Sequence, residues 1–304
     1  MGIRNKLTNK FISVLLSGWS DGTIEEQRSR QERMSRFNKI PADIQCQPIT
    51  IGGISGEWIT APGTNSGVIL YLHGGAYSLG SINIHREFIS RLARFTRTRC
   101  LAINYRLAPE HPFPAALDDA TSTYRWLLKQ GVDPSQIIIA GDSAGGGLAL
   151  STVLSLHETG DKLPAGVVCI SPWTDLSLSG ASILSKSKVE PILDPDHLKA
   201  NACYYAGKNE LTSPLISPLF GNLDCLPPLL IQVGSDEILL DDSIRFYEKA
   251  LESGVDVSLD VYDDMFHVFQ LLPFLPETRK AVRHIAEFVI QRLNSENLSN
   301  GDNE

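Results

Sequence analysis

Short runs of apolar, mainly β-branched residues alternate along this chain with segments whose apolar positions recur every three or four residues. We predict the runs as strands and the intervening segments as helices. The alternation of strands and helices predicts a mainly parallel central sheet with helices on both faces, an α/β fold. The predicted strands are 68–72, 100–104, 137–140, 167–170, 229–233 and 257–262, and the predicted helices are 85–95, 115–129, 144–158, 242–252 and 277–293.

A Gly-x-Ser-x-Gly motif follows the third predicted strand and precedes a helix that starts with small residues. In that context the serine occupies a sharp strand-to-helix turn that lifts its hydroxyl out of the sheet. We expect Gly141 and Gly145 to be glycines because the neighbouring backbone leaves no room for a Cβ. The N-terminus of the helix that follows favours an anion beside the serine. Ser143 is therefore the candidate nucleophile.

The first predicted strand runs directly into His73-Gly74-Gly75-Ala76. A glycine pair at the end of a strand exposes peptide N–H groups, which a tetrahedral oxyanion requires. We predict that the amides of Gly74, Gly75 and Ala144 form an oxyanion hole. Taken alone, the glycine pair is better explained as a tight turn, and only its combination with the serine motif favours the catalytic interpretation. His73 is interpreted as an organiser of that loop.

An acid and a histidine follow two later strands. Asp236 comes soon after the strand at 229–233, and His267 soon after the strand at 257–262. The order serine, acid, histidine is that of a hydrolytic triad, and all three lie beyond carboxyl ends of strands, where α/β sheets bind ligands. We predict Asp236 as the acid and His267 as the base. The competing residues have other expected roles: Asp241 and Asp242 at a helix start, Asp263 and Asp264 too near His267, and His85, His111, His157, His197 and His284 as structural or surface residues.

Four ordered motifs together resemble one known family. They are His73–Ala76, Tyr105–Ala116, Gly141–Gly146 and the late pair Asp236 and His267. The chain resembles the hormone-sensitive-lipase-like esterases, also called bacterial lipolytic family IV, from about residue 65 to about residue 290. The resemblance implies an α/β-hydrolase fold, no cofactor, and hydrolysis of carboxylic esters with small or medium acyl groups. Ala76 stands where the family pattern usually has a third glycine.

Two stretches interrupt the strand–helix alternation. Residues 1–45 are charged and helical in pattern, and residues 176–218 pass from Ser-rich to Pro-rich. In the resembled family such pieces form a helical cap above the serine. We therefore expect cap segments at 1–45 and 176–218 around a hydrolase core at 46–175 and 219–304. Near the expected boundary of cap and core, Tyr77, Trp173 and Phe266 are candidate substrate-binding residues, although core packing is the simpler interpretation of each.

Composition limits the classes of partner. The chain has 304 residues, 27 basic and 35 acidic, so its net charge of −8 disfavours nucleic acid and anionic membranes. Its five cysteines form no C-x-x-C pair, which favours a reducing cytoplasm. The apolar stretch 11–16 is shorter than a signal-peptide core, and no run reaches transmembrane length, so we expect no stable membrane insertion. We predict neither a metal site nor a cofactor.

We expect a serine carboxylesterase that acts on small-molecule esters through an acyl-enzyme. Two alternatives remain open from sequence. One is a non-catalytic small-molecule receptor on the same fold, which the presence of His267 disfavours. The other is an amidase or lactonase that uses the same triad. A homodimer through the edge strand at 257–262 is a further expectation, by analogy with the family.

Overall fold

The computed structural model describes residues 22–299, with side chains as far as residue 294. Helices and strands alternate along most of this range, except that three strands follow the first helix and two helices lie between the sixth and seventh strands. The helices are α1 (Ile24–Ser35), α2 (Ile82–Thr96), α3 (Ala115–Lys129), α4 (Ala144–Glu158), α5 (Ser182–Ser185), α6 (Pro195–Ala206), α7 (Leu240–Glu252) and α8 (Pro276–Ser299). Short 3-10 turns cover Pro134–Gln136, Pro218–Phe220 and Phe269–Leu271.

One eight-stranded sheet forms the centre of the molecule, with the strand order β1-β2-β4-β3-β5-β6-β7-β8. The pairs β1–β2 and β2–β4 are antiparallel, and every later pair is parallel. The parallel strands end at one edge of the sheet, which places the loops that follow them together. The strands are β1 (Gln45–Ile51), β2 (Ile54–Thr60), β3 (Val68–Leu72), β4 (Arg99–Asn104), β5 (Ile137–Asp142), β6 (Gly166–Ile170), β7 (Leu229–Gly234) and β8 (Val257–Tyr262).

The sheet separates two apolar layers, because successive side chains of a strand point to opposite faces. In β5, Ile137 and Ile139 belong to the layer beneath α3, α4 and α7, whereas Ile138 belongs to the layer beneath α2 and α8. Every residue of β5 is buried, as expected for a strand covered on both faces. The predicted α/β fold with helices on both faces is confirmed.

The predicted elements match the structure closely, with one omission at the start of the sheet. The strands at 68–72 and 257–262 and the helices at 115–129 and 144–158 have the predicted bounds, and the other boundaries differ by at most six residues. Strands β1 and β2 were not predicted. Most of β1 is exposed and it contains Pro48, so its sequence lacks the apolar run by which the buried strands are recognised.

The segments expected to form a cap lie partly outside the described residues, since the structure of 1–21 is not described. Helix α1 begins at Ile24. The segment 176–218 contains α5 and α6 and contacts the core where the rings of Tyr205 and Tyr77 stack, 3.6 Å apart between centroids. Among the helices of residues 22–299, none is both long and apolar enough to cross a bilayer.

Candidate active site

Ser143 lies at the junction of β5 and α4 in an unusual backbone conformation. Its φ is +54° and its ψ is −121°, a combination that L-residues rarely adopt. The main chain holds it there: its N–H donates to the Ile170 carbonyl at 2.8 Å, and its carbonyl accepts from the Trp173 N–H at 3.0 Å. This is the sharp strand-to-helix turn that the motif predicts.

The glycines on either side of Ser143 permit this turn. A Cβ on Gly145 would stand 2.0 Å from the carbonyl oxygen of Leu72, and one on Gly141 would stand 2.3 Å from that of Gly145. Both distances are far inside van der Waals contact and involve backbone atoms, which cannot rotate away. The expected lack of space for a Cβ at these two positions is confirmed.

His267 follows β8 and is almost fully buried, at 4% exposure. Its Nδ1 bonds Oε2 of Glu237 at 2.8 Å. An ionised carboxylate can accept hydrogen bonds but cannot donate them, so Nδ1 must carry the proton of this hydrogen bond. In the neutral imidazole, Nε2 is then unprotonated and can accept a proton. Glu237 is fully buried, and its other oxygen accepts from the Ser171 hydroxyl and from the Gly234 N–H, each at 2.6 Å.

Asp236, the acid predicted from the sequence, is not the partner of His267 in the structure. Its main-chain N–H donates to the Met265 carbonyl, but its side chain makes no hydrogen bond with His267. Oδ1 lies 3.7 Å from Nζ of Lys186, and Oδ2 has no hydrogen-bond partner among the described residues. Consecutive side chains on a turn diverge, so only one of these two acids can face the imidazole. Glu237 occupies the position expected for Asp236.

The loop that follows β6 joins the serine turn to the histidine loop. Ile170 accepts the N–H of Ser143, and the next residue, Ser171, donates its hydroxyl to Glu237. The same hydroxyl accepts the N–H of Val268 at 3.2 Å, next to His267. The candidate nucleophile, base and acid are therefore carried on loops tied to a single two-residue segment.

The surroundings of His267 favour its protonated form. Burial alone would lower the pKa of His267, but the hydrogen bond and charge of Glu237, with the charges of Glu190 and Asp142, raise it above its ordinary value. Burial raises the pKa of Asp236, the Lys186 charge opposes this, and Asp264 adds to it.

The predicted oxyanion loop is present, but one of its three amides is already engaged. The N–H of Gly74 donates to Oδ1 of Asp142 at 3.0 Å, so it is not free to bind an oxyanion. Gly75 has φ +124°, and a Cβ there would stand 2.2 Å from the Leu79 carbonyl oxygen. Within residues 22–299 the amide N–H groups of Gly75 and Ala76 have no acceptor, and Ala144 opens α4, where the N–H has no intrahelical partner.

Asp142, which precedes the candidate nucleophile, is the centre of a buried polar cluster. It accepts from the Tyr71 hydroxyl at 2.7 Å and bonds His85 Nε2 at 3.1 Å, in addition to the Gly74 amide. Burial would raise the pKa of Asp142, but the His85 charge and these hydrogen bonds lower it. His73 stacks on Tyr105, 4.3 Å between centroids, and burial lowers its pKa to about 4. The cluster anchors the loop that carries Gly75.

All three residues suggested for substrate binding are buried in the structure. Tyr77 stacks on Tyr205, and Trp173 donates its indole N–H to the Asp175 carbonyl at 3.2 Å. Phe266 is 1% exposed and belongs to a small apolar cluster with Phe269. Their contacts are those of core residues.

Three residues with contacts at the site were not identified from the sequence: Glu237, Asp142 and Glu190. Glu237 adjoins the predicted acid, and the triad order admits either acid, so the pair Asp236-Glu237 was a usable signal. Glu190 lies in a segment without a motif and had no such signal. In the described part of the chain, no three His, Cys, Asp or Glu side chains are grouped to hold a metal ion.

Comparison with known proteins gives consistent matches. Residues 69–271 match the model of a family described as having the alpha/beta hydrolase fold. An acetyl-hydrolase of Streptomyces hygroscopicus is 40% identical over 274 residues, covering 88% of this chain and 90% of that protein. An esterase of Acinetobacter venetianus is 42% identical over 247 residues, covering 81% of this chain and 82% of that protein.

Solved structures match over nearly the whole chain. The crystal structure of an esterase from the bacterial hormone-sensitive lipase family superposes with a TM-score of 0.92 at 39% identity, and covers 96% of this chain and 99% of that one. Fold, motif order and these matches agree with the resemblance noted in the sequence. The chain belongs to the α/β-hydrolase fold family and, within it, to the hormone-sensitive-lipase-like esterases of bacterial family IV.

Proposed function

We propose that this chain is a serine carboxylesterase that hydrolyses short- to medium-chain carboxylic esters through an acyl-enzyme. The observation that carries the proposal is the buried 2.8 Å hydrogen bond between His267 Nδ1 and Glu237, which leaves Nε2 available as a base. The strained turn at Ser143 supports it, because such turns present a nucleophile. The relatives named as an esterase and an acetyl-hydrolase support ester substrates and small acyl groups.

In the proposed mechanism, His267 Nε2 accepts the hydroxyl proton of Ser143 as that oxygen attacks the ester carbonyl. Glu237 stabilises the imidazolium that forms and keeps the ring in the productive tautomer. The tetrahedral oxyanion is bound by the amides of Gly75 and Ala144, with that of Ala76 as the third donor in place of Gly74. Each such donor contributes about 3 kcal/mol to transition-state stabilisation.

The intermediate then collapses and the C–O bond to the alcohol breaks, while His267 gives its proton to the departing oxygen. Water next enters, loses a proton to His267 and attacks the acyl carbonyl. The second intermediate expels the Ser143 oxygen, which recovers its proton from the imidazolium, and the carboxylic acid leaves. No step requires a cofactor.

The test combines chain-length kinetics with covalent labelling. We expect turnover of nitrophenyl esters from acetyl to decanoyl to be highest among the short and medium chains. A fluorophosphonate should inactivate the protein and add its mass to the peptide that contains Ser143. Ser143→Ala should abolish both labelling and turnover, whereas Ser151→Ala, at a buried serine of the helix that follows Ser143, should keep both.

Labelling of another residue, or turnover retained by Ser143→Ala, would contradict the proposed nucleophile. Matched ester, amide and lactone substrates separate the alternatives that use the same machinery. Faster hydrolysis of the amide or the lactone than of the ester would replace the proposed substrate class. Ligand binding without turnover of any of them would indicate a receptor.

A further inference from the structure

A second buried carboxylate reaches His267 from the segment 176–218. Glu190 lies between α5 and α6 and is 7% exposed. Its Oε2 accepts the main-chain N–H of His267 at 3.2 Å, and its Oε1 accepts the N–H of Ile192 at 2.8 Å. One side chain therefore ties the segment to the backbone of the candidate base. Glu237 holds the ring of that base, and Glu190 holds its main chain.

A neighbouring contact reinforces the link. Lys186 lies one turn before Glu190, and its carbonyl accepts the Glu190 N–H at 3.0 Å. Its ammonium lies 3.7 Å from Asp236, the residue adjacent to Glu237. The stretch 186–190 thus contacts both loops that carry the candidate base and acid. These contacts give Asp236 a role as an anchor for the segment.

The charges around Glu190 come from three parts of the chain. His267 faces Glu190 from the loop after β8, and Glu237 faces it from the loop after β7. Lys186 and Asp236 form an ion pair next to it. Burial raises the pKa of Glu190 to about 7, the charge of Glu237 adds to the rise, and that of His267 opposes it. In return, the negative charge of Glu190 contributes to the raised pKa of His267. The two groups therefore titrate as a coupled pair.

We propose that Glu190 is a positioning residue for the catalytic histidine: it fixes the main chain of His267, adds negative charge beside the imidazole, and makes catalysis depend on docking of the segment 176–218. The proposal rests on the proposed function for its kinetic consequences. Its structural and electrostatic consequences can be measured without turnover. A residue that only anchored the segment would affect stability and leave the titration of His267 unchanged.

The test compares Glu190→Gln, Glu190→Ala and the control Glu210→Gln, which removes one exposed carboxylate from the same segment. Glutamine keeps one oxygen, which can accept the His267 N–H, but it lacks the charge and places its NH2 group beside the Ile192 N–H. We expect the acidic limb of kcat/KM to move to lower pH by about half a unit or more, with kcat on the plateau within about threefold of wild type. Glu190→Ala should also lower kcat by at least about tenfold with little change in KM, because the loop loses its acceptor.

The ring signals of His267, followed by NMR from acid to alkaline pH and assigned with His267→Asn, give the readout that does not need activity. A matching downward shift of the titration in Glu190→Gln, absent from Glu210→Gln, supports the proposal even if no ester is hydrolysed. Titration of Glu190→Gln within about 0.2 units of wild type would overturn it. If Glu190→Ala does not fold, the glutamine variant alone decides the test.

Discussion

Ser143 and the glycines beside it show how backbone strain is maintained at a single residue. A non-glycine residue in this region of φ and ψ costs about 1–3 kcal/mol. The hydrogen bonds from Ser143 to Ile170 and from Trp173 to Ser143 offset that cost by fixing both sides of the peptide unit. The close approach of β3 to the start of α4 leaves no room for a side chain at Gly145.

Gly145 and Gly146, in the first turn of α4, provide a matched pair of substitutions. A Cβ on Gly145 would stand 2.0 Å from the Leu72 carbonyl oxygen, whereas one on Gly146 would stand 3.0 Å from the Pro172 Cβ. We predict that Gly145→Ala lowers the free energy of unfolding by at least about 2 kcal/mol and removes most activity. Gly146→Ala requires only a small shift, and the higher helix propensity of alanine, up to about 1 kcal/mol, offsets part of its cost.

Urea unfolding and esterase assays of both variants check this prediction. Equal stabilities of the two variants would contradict the close backbone contact at Gly145. Both substitutions add the same methyl group to the same helix, so a difference between them reports the local space at each position.

The sequence alone does not decide whether Asp236 or Glu237 is the partner of His267. The sequence indicates that an acid follows β7 and a histidine follows β8, and the structure agrees. Which of two adjacent acids faces the histidine depends on the path of the turn and on the partners Ser171 and Gly234, neither of which has a local sequence signature. The same holds for Gly74, whose amide is taken by Asp142 through a contact 68 residues away in sequence.

At the scale of elements, α1 braces the loop that carries the proposed oxyanion amides. Arg28 donates to the carbonyls of Ser78 at 2.8 Å and Ala108 at 2.7 Å, and pairs with Glu110 through both guanidinium amino groups. Gln31 accepts the N–H of Gly80 at 3.2 Å. One helix thus connects the loop after β3 to the proline-rich segment after β4.

We predict that Arg28→Ala lowers kcat/KM by about tenfold, because the loop loses the bonds that fix the amide of Gly75, and small displacements at a reacting centre are costly. Arg33→Ala, at an exposed position of the same helix, is the control and should retain wild-type activity. Steady-state kinetics and thermal unfolding of both variants make the comparison. Equal kcat/KM values for Arg28→Ala and wild type would show that the brace does not affect the site.

Element prediction succeeded where burial imposes a pattern and failed where it does not. The strands β3, β5 and β6 are covered on both faces, and continuous apolar runs identify them. Strand β1 lies at the edge, carries Pro48 and exposes most of its residues, so its formation depends on pairing with β2. The predicted cap arrangement and the homodimer through β8 stay predictions, and light scattering of wild type and Val261→Lys, at an exposed position of β8, would test the latter.

At the scale of the whole molecule, buried acids connect folding stability to pH. Asp242 is fully buried, and its Oδ2 accepts the N–H groups of Thr174 and Asp175, each at 2.8 Å. Its Oδ1 has no partner in the described part of the chain. Burial raises the pKa of Asp242 from 3.8 to about 7, with the charge of Asp175 adding to the rise. The folded protein therefore keeps a proton that the unfolded chain has released.

The sign of the effect follows from that proton. Between about pH 4 and pH 7 the folded state binds more protons at Asp242, so the contribution of this group to stability falls as pH rises. We predict that Asp242→Asn, which is neutral throughout and keeps an oxygen to accept the Thr174 and Asp175 N–H groups, reduces the difference in free energy of unfolding between pH 5 and pH 8. The reduction should be on the order of 2 kcal/mol.

Urea titrations of wild type and Asp242→Asn at the two pH values give this difference directly. Glu190 also titrates near neutral pH, but it is present in both proteins, so its contribution to the pH dependence of stability cancels in the comparison. Identical pH dependence of the two proteins would mean that Asp242 is ionised in the folded state throughout this range.

The central claim is that Glu237, and not Asp236, supports His267 in ester hydrolysis. The most direct measurement is kcat for a nitrophenyl ester with Glu237→Gln and Asp236→Asn, each an isosteric loss of one carboxylate from adjacent residues. We predict that Glu237→Gln lowers kcat by about 10²-fold or more, because the imidazolium loses its buried counter-charge, while Asp236→Asn stays within about tenfold of wild type. The reverse order of the two variants would contradict the account.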